Sequence, residues 1–84
     1  MNRYVYIFYR YYQGSIHEYS SFGDALRRFV SDFDYGKAYG IGIYDKEEKV
    51  LHVPFYFDEG QCNLAIEETK KLGYEIKEVQ SFEV

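Results

Sequence analysis

Residue types that could do chemistry are present in this chain of 84 residues, but no spacing joins them into a reaction centre. His17 and His52 have no acid or nucleophile set beside them by any motif, and Cys62 is the sole cysteine. One cysteine cannot close an internal disulfide, and no Cys/His set has zinc-ligand spacing. Neither a metal nor a cofactor is expected. Tyr39-Gly40-Ile41-Gly42-Ile43 holds a Gly-x-Gly, yet Asp45 stands where a dinucleotide fingerprint needs its third glycine. The paired glycines are read instead as room for close packing. The 14 carboxylates form many near pairs, as in any chain so rich in them. With no nucleophile motif and no phosphate loop, the chain is not expected to be an enzyme.

What the chain has in excess is aromatic surface. It carries 11 Tyr and 7 Phe but no Trp, and its leucines are only Leu26, Leu51, Leu64 and Leu72. That balance excludes a Leu-rich coiled coil, and a hydrophobic content of 46% excludes disorder. Aromatic rings suit a small domain. Each can bury on the order of 150–250 Å² where the fold as a whole covers only about 60–65% of its unfolded surface. The net charge of −4 is unevenly placed, the first third of the chain being basic and the rest acidic. An acidic chain is disfavoured as a general nucleic-acid binder, because phosphate neutralisation by Lys and Arg supplies most non-specific affinity.

The longest apolar run, Tyr4 to Tyr9, is far shorter than the roughly 20 residues a membrane span needs. Met1-Asn2-Arg3 leads into it without a signal-peptide pattern. A soluble, cytoplasmic protein with no membrane partner is the expectation. No linker or repeat interrupts residues 1–84, which read as a single domain.

The elements that must position any site follow from periodicity. Residues 3–12 alternate as a strand, with Val5, Ile7, Tyr9 and Tyr11 on one face and Tyr4, Tyr6, Phe8, Arg10 and Tyr12 on the other. Gln13-Gly14 suits a hairpin turn, after which residues 15–19 could pair back. Ser21 and Asp24 cap a helix whose Phe22, Ala25, Leu26, Phe29, Val30 and Phe33 form an apolar stripe, stopped by Gly36. Residues 39–44 and 49–57 make a hairpin around Asp45-Lys46-Glu47-Glu48. Leu51, Val53, Phe55 and Phe57 point to the core, and Pro54 marks an edge, a bulge or a strand end. Asp58 and Gln61 cap a second helix ending near Leu72-Gly73, and Cys62 falls on its inner stripe. Tyr74 to Ile76 reads as a last strand, with a bulge or loose tail from Val79 to Val84. The order β(β)αββαβ predicts an α+β fold, an antiparallel sheet with two helices packed on one face, compatible with a ferredoxin-like arrangement.

Helices on one face would leave the other face of the sheet bare. Tyr4, Tyr6, Phe8, Tyr12, Tyr44, His52 and Tyr56 then form an open aromatic surface of the kind that marks interaction sites. The acidic run Asp32, Asp34, Asp45, Glu47, Glu48, Asp58 and Glu59 reads as a solvated rim. Asp45, Glu47 and Glu48 add an acidic docking edge for a partner with a basic groove. Strand 49–57 lacks the basic-Gly-aromatic signature of RNA-recognition domains, so the shared element order carries no assignment. The resulting expectation is a small non-catalytic protein-binding module, in size and composition like phage or mobile-element inhibitors of host enzymes. Two alternatives use the same tyrosines: a nucleotide or single-stranded nucleic-acid binder, and a structural homodimer.

Overall fold

A computed structural model describes residues 2–36 and 38–83. Two strands, β1 (Tyr4–Arg10) and β2 (Gln13–Tyr19), precede α1 (Phe22–Tyr35). A second pair, β3 (Tyr39–Asp45) and β4 (Val50–Pro54), precedes α2 (Glu59–Lys71) and β5 (Glu78–Phe82). The five strands form one mixed sheet in the order β2-β1-β3-β4-β5. This confirms an α+β fold of five strands and two helices, while the strand order does not confirm the ferredoxin-like arrangement.

Two expectations are corrected. The sheet is not wholly antiparallel, because β5 runs parallel to β4, pairing Leu51 with Val79 and Val53 with Ser81. The helices also lie on opposite faces. Ala65 of α2 packs with Val5, Ile7, Leu51 and Val53, whereas Ala25 and Phe29 of α1 pack with Tyr6, Phe8 and Ile43. The reason is chain direction. The steps β2-α1-β3 and β4-α2-β5 cross the sheet the same way, but β2 and β3 run opposite to β4 and β5. Crossovers of one hand must then put their helices on opposite sides.

The helix ends obey their capping residues. Ser21 Oγ accepts from the Asp24 N–H, and Gly36, at φ 64°, donates its N–H to the Asp32 carbonyl. Asp58 and Gln61 form a reciprocal capping box at the start of α2. Local signals fail elsewhere. The β1–β2 turn falls on Tyr11-Tyr12 rather than Gln13-Gly14, since Arg10 pairs with Gln13 and Tyr9 with Gly14. Strand β4 finishes at Pro54, and the Phe55 N–H donates to the Phe82 carbonyl. The last strand is residues 78–82, not 74–76. Tyr74 and Ile76 pack on the α2-side core as a connecting segment, with the Tyr74 ring stacked 4.8 Å from Tyr44.

The glycine pair does make room for packing. A Cβ on Gly40 would stand 2.6 Å from the Phe29 ring, and one on Gly42 would stand 2.8 Å from the His52 carbonyl oxygen.

Candidate functional site

The expected sheet-face surface does not exist as an open face, because α1 covers it. Tyr6 and Phe8 are buried beneath α1, whereas Tyr44, paired with Val5 and Leu51, is buried on the other face in the α2-side core, not beside Tyr4 and Tyr6 as expected. Tyr6 and Phe8 stack at 5.0 Å, Phe29 meets Tyr6 edge-on at 5.8 Å, and Phe82 meets Phe29 edge-on at 5.5 Å. Tyr4 is half-buried against Phe22, and His52 packs on that same ring at 4.9 Å. The strand tyrosines thus build a second core rather than a contact surface. Burial lowers the pKa of His52, favouring the neutral imidazole in its aromatic setting.

The acidic edge is also changed. Asp45 is buried and takes two hydrogen bonds from Arg3, at 2.8 and 2.7 Å, plus the N–H groups of Glu47 and Glu48. These donors, the Arg3 side chain first, hold its carboxyl below the usual range. Glu47 is exposed but lies 3.6 Å from Arg3, and Glu48 is exposed. Nearby, Lys46 pairs with Glu18 and Lys49 with Glu75. Asp32, read as part of a wet rim, is buried on the sheet-facing side of α1 and bonded to Tyr6 and Arg28. At this end of the sheet most carboxylates already have cationic partners.

The opposite end is aromatic. The end of β1, the start of β3, the end of β4, the last turn of α1 and the first turn of α2 all converge there. Of the expected residues, only Tyr12 and Tyr56 reach it. They are joined by four that sequence reasoning passed over or assigned to the core: Tyr11, Phe33, Tyr39 and Phe55, all exposed. Phe33 and Phe55, expected inside, are 67% and 61% exposed, since both sit where their element runs out beyond the sheet. Phe33 leans on Tyr56, and Tyr56 meets both Phe55 and Phe57 edge-on. A cleft of about 760 Å³ opens between these rings, lined by Tyr9, Tyr39, Tyr56, Phe57 and Gln61 among others. It adjoins a depression of about 550 Å³ lined by Tyr9, Tyr11, Tyr12 and Tyr39.

The hairpin tip is the most telling part. Tyr11 and Tyr12 have φ of 54° and 62°, the left-handed region that a two-residue turn with strand-matching twist demands. Such turns favour Asn-Gly, because a side chain with a Cβ crowds the following carbonyl at positive φ. Here two tyrosines occupy both positions, 84% and 105% exposed. Folding gains little from either ring.

No family model, curated protein or solved structure matches this chain. The site must therefore be read from its own chemistry. Among the described residues no group of His, Cys, Asp and Glu could hold a metal ion, and the sheet separates Cys62 from His17 and His52. Every buried side-chain polar atom among them has a hydrogen-bond partner, so none is left aimed at an unseen ligand. No helix among the described residues is long and apolar enough to cross a membrane. Within the cleft, Gln61 Nε2 donates to the Tyr39 hydroxyl at 3.1 Å, and Gln61 Oε1 accepts from the Asp58 N–H at 3.0 Å. Burial and then a hydrogen bond to Glu68 raise the Tyr9 pKa to about 12, keeping that hydroxyl protonated. The rings are positioned by these polar contacts. Chemically the site offers flat apolar faces with hydroxyl tips.

Proposed function

We propose that the chain is a small, non-catalytic protein-binding module whose contact surface is the aromatic end of the sheet. The observation that carries this reading is the hairpin tip, where two exposed tyrosines hold backbone conformations that cost the fold stability. Strain kept at an exposed site is accounted for by what the site contacts. Tyrosine supplies large contact area with a polar tip at low entropic cost, and it is enriched among residues that dominate interface energetics. Inhibition of a larger enzyme is one form that such binding could take.

Stacking on nucleobases would use the same rings. It is the weaker reading, because Arg10 is the sole cation among the described residues lining the cleft, and its guanidinium lies 5.5 Å from the Tyr11 ring centroid. With a net charge of −4, little remains to neutralise phosphates.

The test compares the intact protein with a Tyr11→Asn/Tyr12→Gly variant as bait in native-host lysate, read by mass spectrometry. The expected result is a partner retained by the first and lost by the second. Equal capture by both would remove the aromatic end as the contact surface.

A further inference from the structure

Resting on the protein-binding reading, we propose that the occupant of the aromatic end is a second copy of this chain, the Tyr12 ring of each copy entering the cleft of the other. Tyr11, Tyr12, Phe33, Tyr39, Phe55 and Tyr56 together expose about as much as four whole aromatic residues. At about 200 Å² apiece that is on the order of 800 Å². The patch is larger than the roughly 300–600 Å² that a monomer ordinarily shows, and it matches the about 800 Å² that each partner brings to a stable complex.

Composition narrows the partner. Arg10 is the sole charged group among the described residues lining the cleft, and none lines the adjoining depression. Contacts between proteins that also live apart are about as polar as the rest of their surface. Homodimer contacts are more apolar and poor in charge, as this patch is. A strongly basic or acidic partner would find one cation to recognise.

Shape supplies both halves of a symmetric contact. A two-fold interface uses the same patch twice, so the patch must carry a projection and a recess that fit each other. The projection is Tyr12, fully exposed at the hairpin tip, which lines the depression but not the cleft. The recess is the cleft of about 760 Å³, joined to the depression through Tyr9, Tyr11 and Tyr39. Its polar groups suit a phenol. The Tyr39 hydroxyl accepts from Gln61 and keeps its own proton to donate, while Gln61 retains a second amide N–H and a second lone pair on Oε1. Aromatic walls beside unspent donors and an acceptor are matched by a ring whose hydroxyl both donates and accepts. Tyr12 brings that ring from the edge of the same patch.

The test is sedimentation equilibrium of the full chain over a concentration series. A monomer–dimer equilibrium is expected, and because each copy carries a net charge of −4, it should tighten as salt rises. Tyr12→Gly removes the projection at a positive φ that glycine accepts, and Tyr39→Ala strips one wall of the recess. Each alone should weaken the dimer by about tenfold or more. Their equimolar mixture should dimerise more tightly than either variant alone, since one intact projection again meets one intact recess. A folding defect gives no such rescue, and circular dichroism checks each variant. Dimerisation adds to apparent stability, so unfolding is compared below the concentration at which the dimer forms. A chain that stays monomeric up to about 1 mM would overturn the proposal. So would a dimer that salt dissociates, a dimer indifferent to both variants, or a mixture no tighter than its parts. If the chain is monomeric while Tyr11→Asn/Tyr12→Gly still loses a lysate partner of different sequence, the second copy alone is overturned and the contact surface stands.

Discussion

The Tyr6 hydroxyl donates to Asp32 Oδ2 across 2.8 Å, tying strand β1 to helix α1 through the interior of the second core. Arg28 completes the cluster, donating from Nε to the same carboxylate at 3.2 Å from Oδ1. Burial, and then Asp32 itself, push the Tyr6 pKa above its ordinary value, favouring the phenol as donor. Tyr6→Phe would keep the stacked ring but take from the buried Asp32 Oδ2 its shorter donor, leaving only Arg28 Nε at 3.3 Å. A loss of about 1–3 kcal/mol in unfolding free energy is expected. Chemical denaturation checks it, and an unchanged midpoint would show that water or Arg28 replaces the bond.

Gly40 sits opposite Phe8, where the β1–β3 register shifts, and the Phe29 ring occupies the space a side chain would fill. Phe29 is buried and held edge-on to both Tyr6 and Phe82, so it has little freedom to withdraw. Gly40→Ala should therefore destabilise by about 1–3 kcal/mol, the usual cost of overpacking. The cost should fall in a Gly40→Ala/Phe29→Leu double variant, measured as a thermodynamic cycle.

Much of this architecture was legible because its signals are local. The Ser21 and Asp58 caps, the α1 stripe and the β3–β4 hairpin depend on neighbours in sequence. The helix faces depend on a long-range pairing, β5 alongside β4, which no local pattern encodes. One clue was available: Val5-Tyr6-Ile7-Phe8 contains no polar residue, as befits a strand buried on both faces. Tyrosine obscured that clue, since it suits a wet face as well as a core. At the site, Tyr12 and Tyr56 were identified for a surface that turned out to be covered. Periodicity assigns Phe33 and Phe55 to the core and Tyr39 to no site, because exposure at an element's end breaks the pattern that assigns a face. Tyr11 was hidden by Gln13-Gly14, a better turn signal that pairing overrode.

Asp45 gives a pH dependence with a definite sign. Its folded pKa lies below the ordinary 3.8, chiefly through Arg3, so the folded state binds the proton more weakly than the unfolded chain. The resulting stabilisation is complete above the ordinary value and disappears as pH falls through the depressed one. Asp45→Asn should accordingly be less stable than wild type at neutral pH, with the gap narrowing only as pH drops below 3.8. Denaturant midpoints across an acid series measure this. A gap that closed near pH 6 would point to a different group.

The hairpin tip should separate stability from binding. Tyr11 and Tyr12 at positive φ each carry strain of about 1–2 kcal/mol, relative to residues that adopt this region freely. Among the described residues neither ring has a neighbour that repays this in the fold: both are highly exposed, and the Arg10 guanidinium beside Tyr11 is a surface contact. Tyr11→Asn/Tyr12→Gly supplies the pair that such a turn prefers, with Asn tolerating the left-handed region and Gly entering it without penalty. The variant should gain about 1–3 kcal/mol. Since about 1 kcal/mol moves the midpoint of a domain this size by roughly 4–8 °C, calorimetry will resolve the change. The same variant is expected to lose its partner. Stability rising while binding disappears is the signature of residues kept for contact. A variant that is less stable than wild type would mean that the tyrosines hold the hairpin together, and the tip would then have to be reassigned to folding.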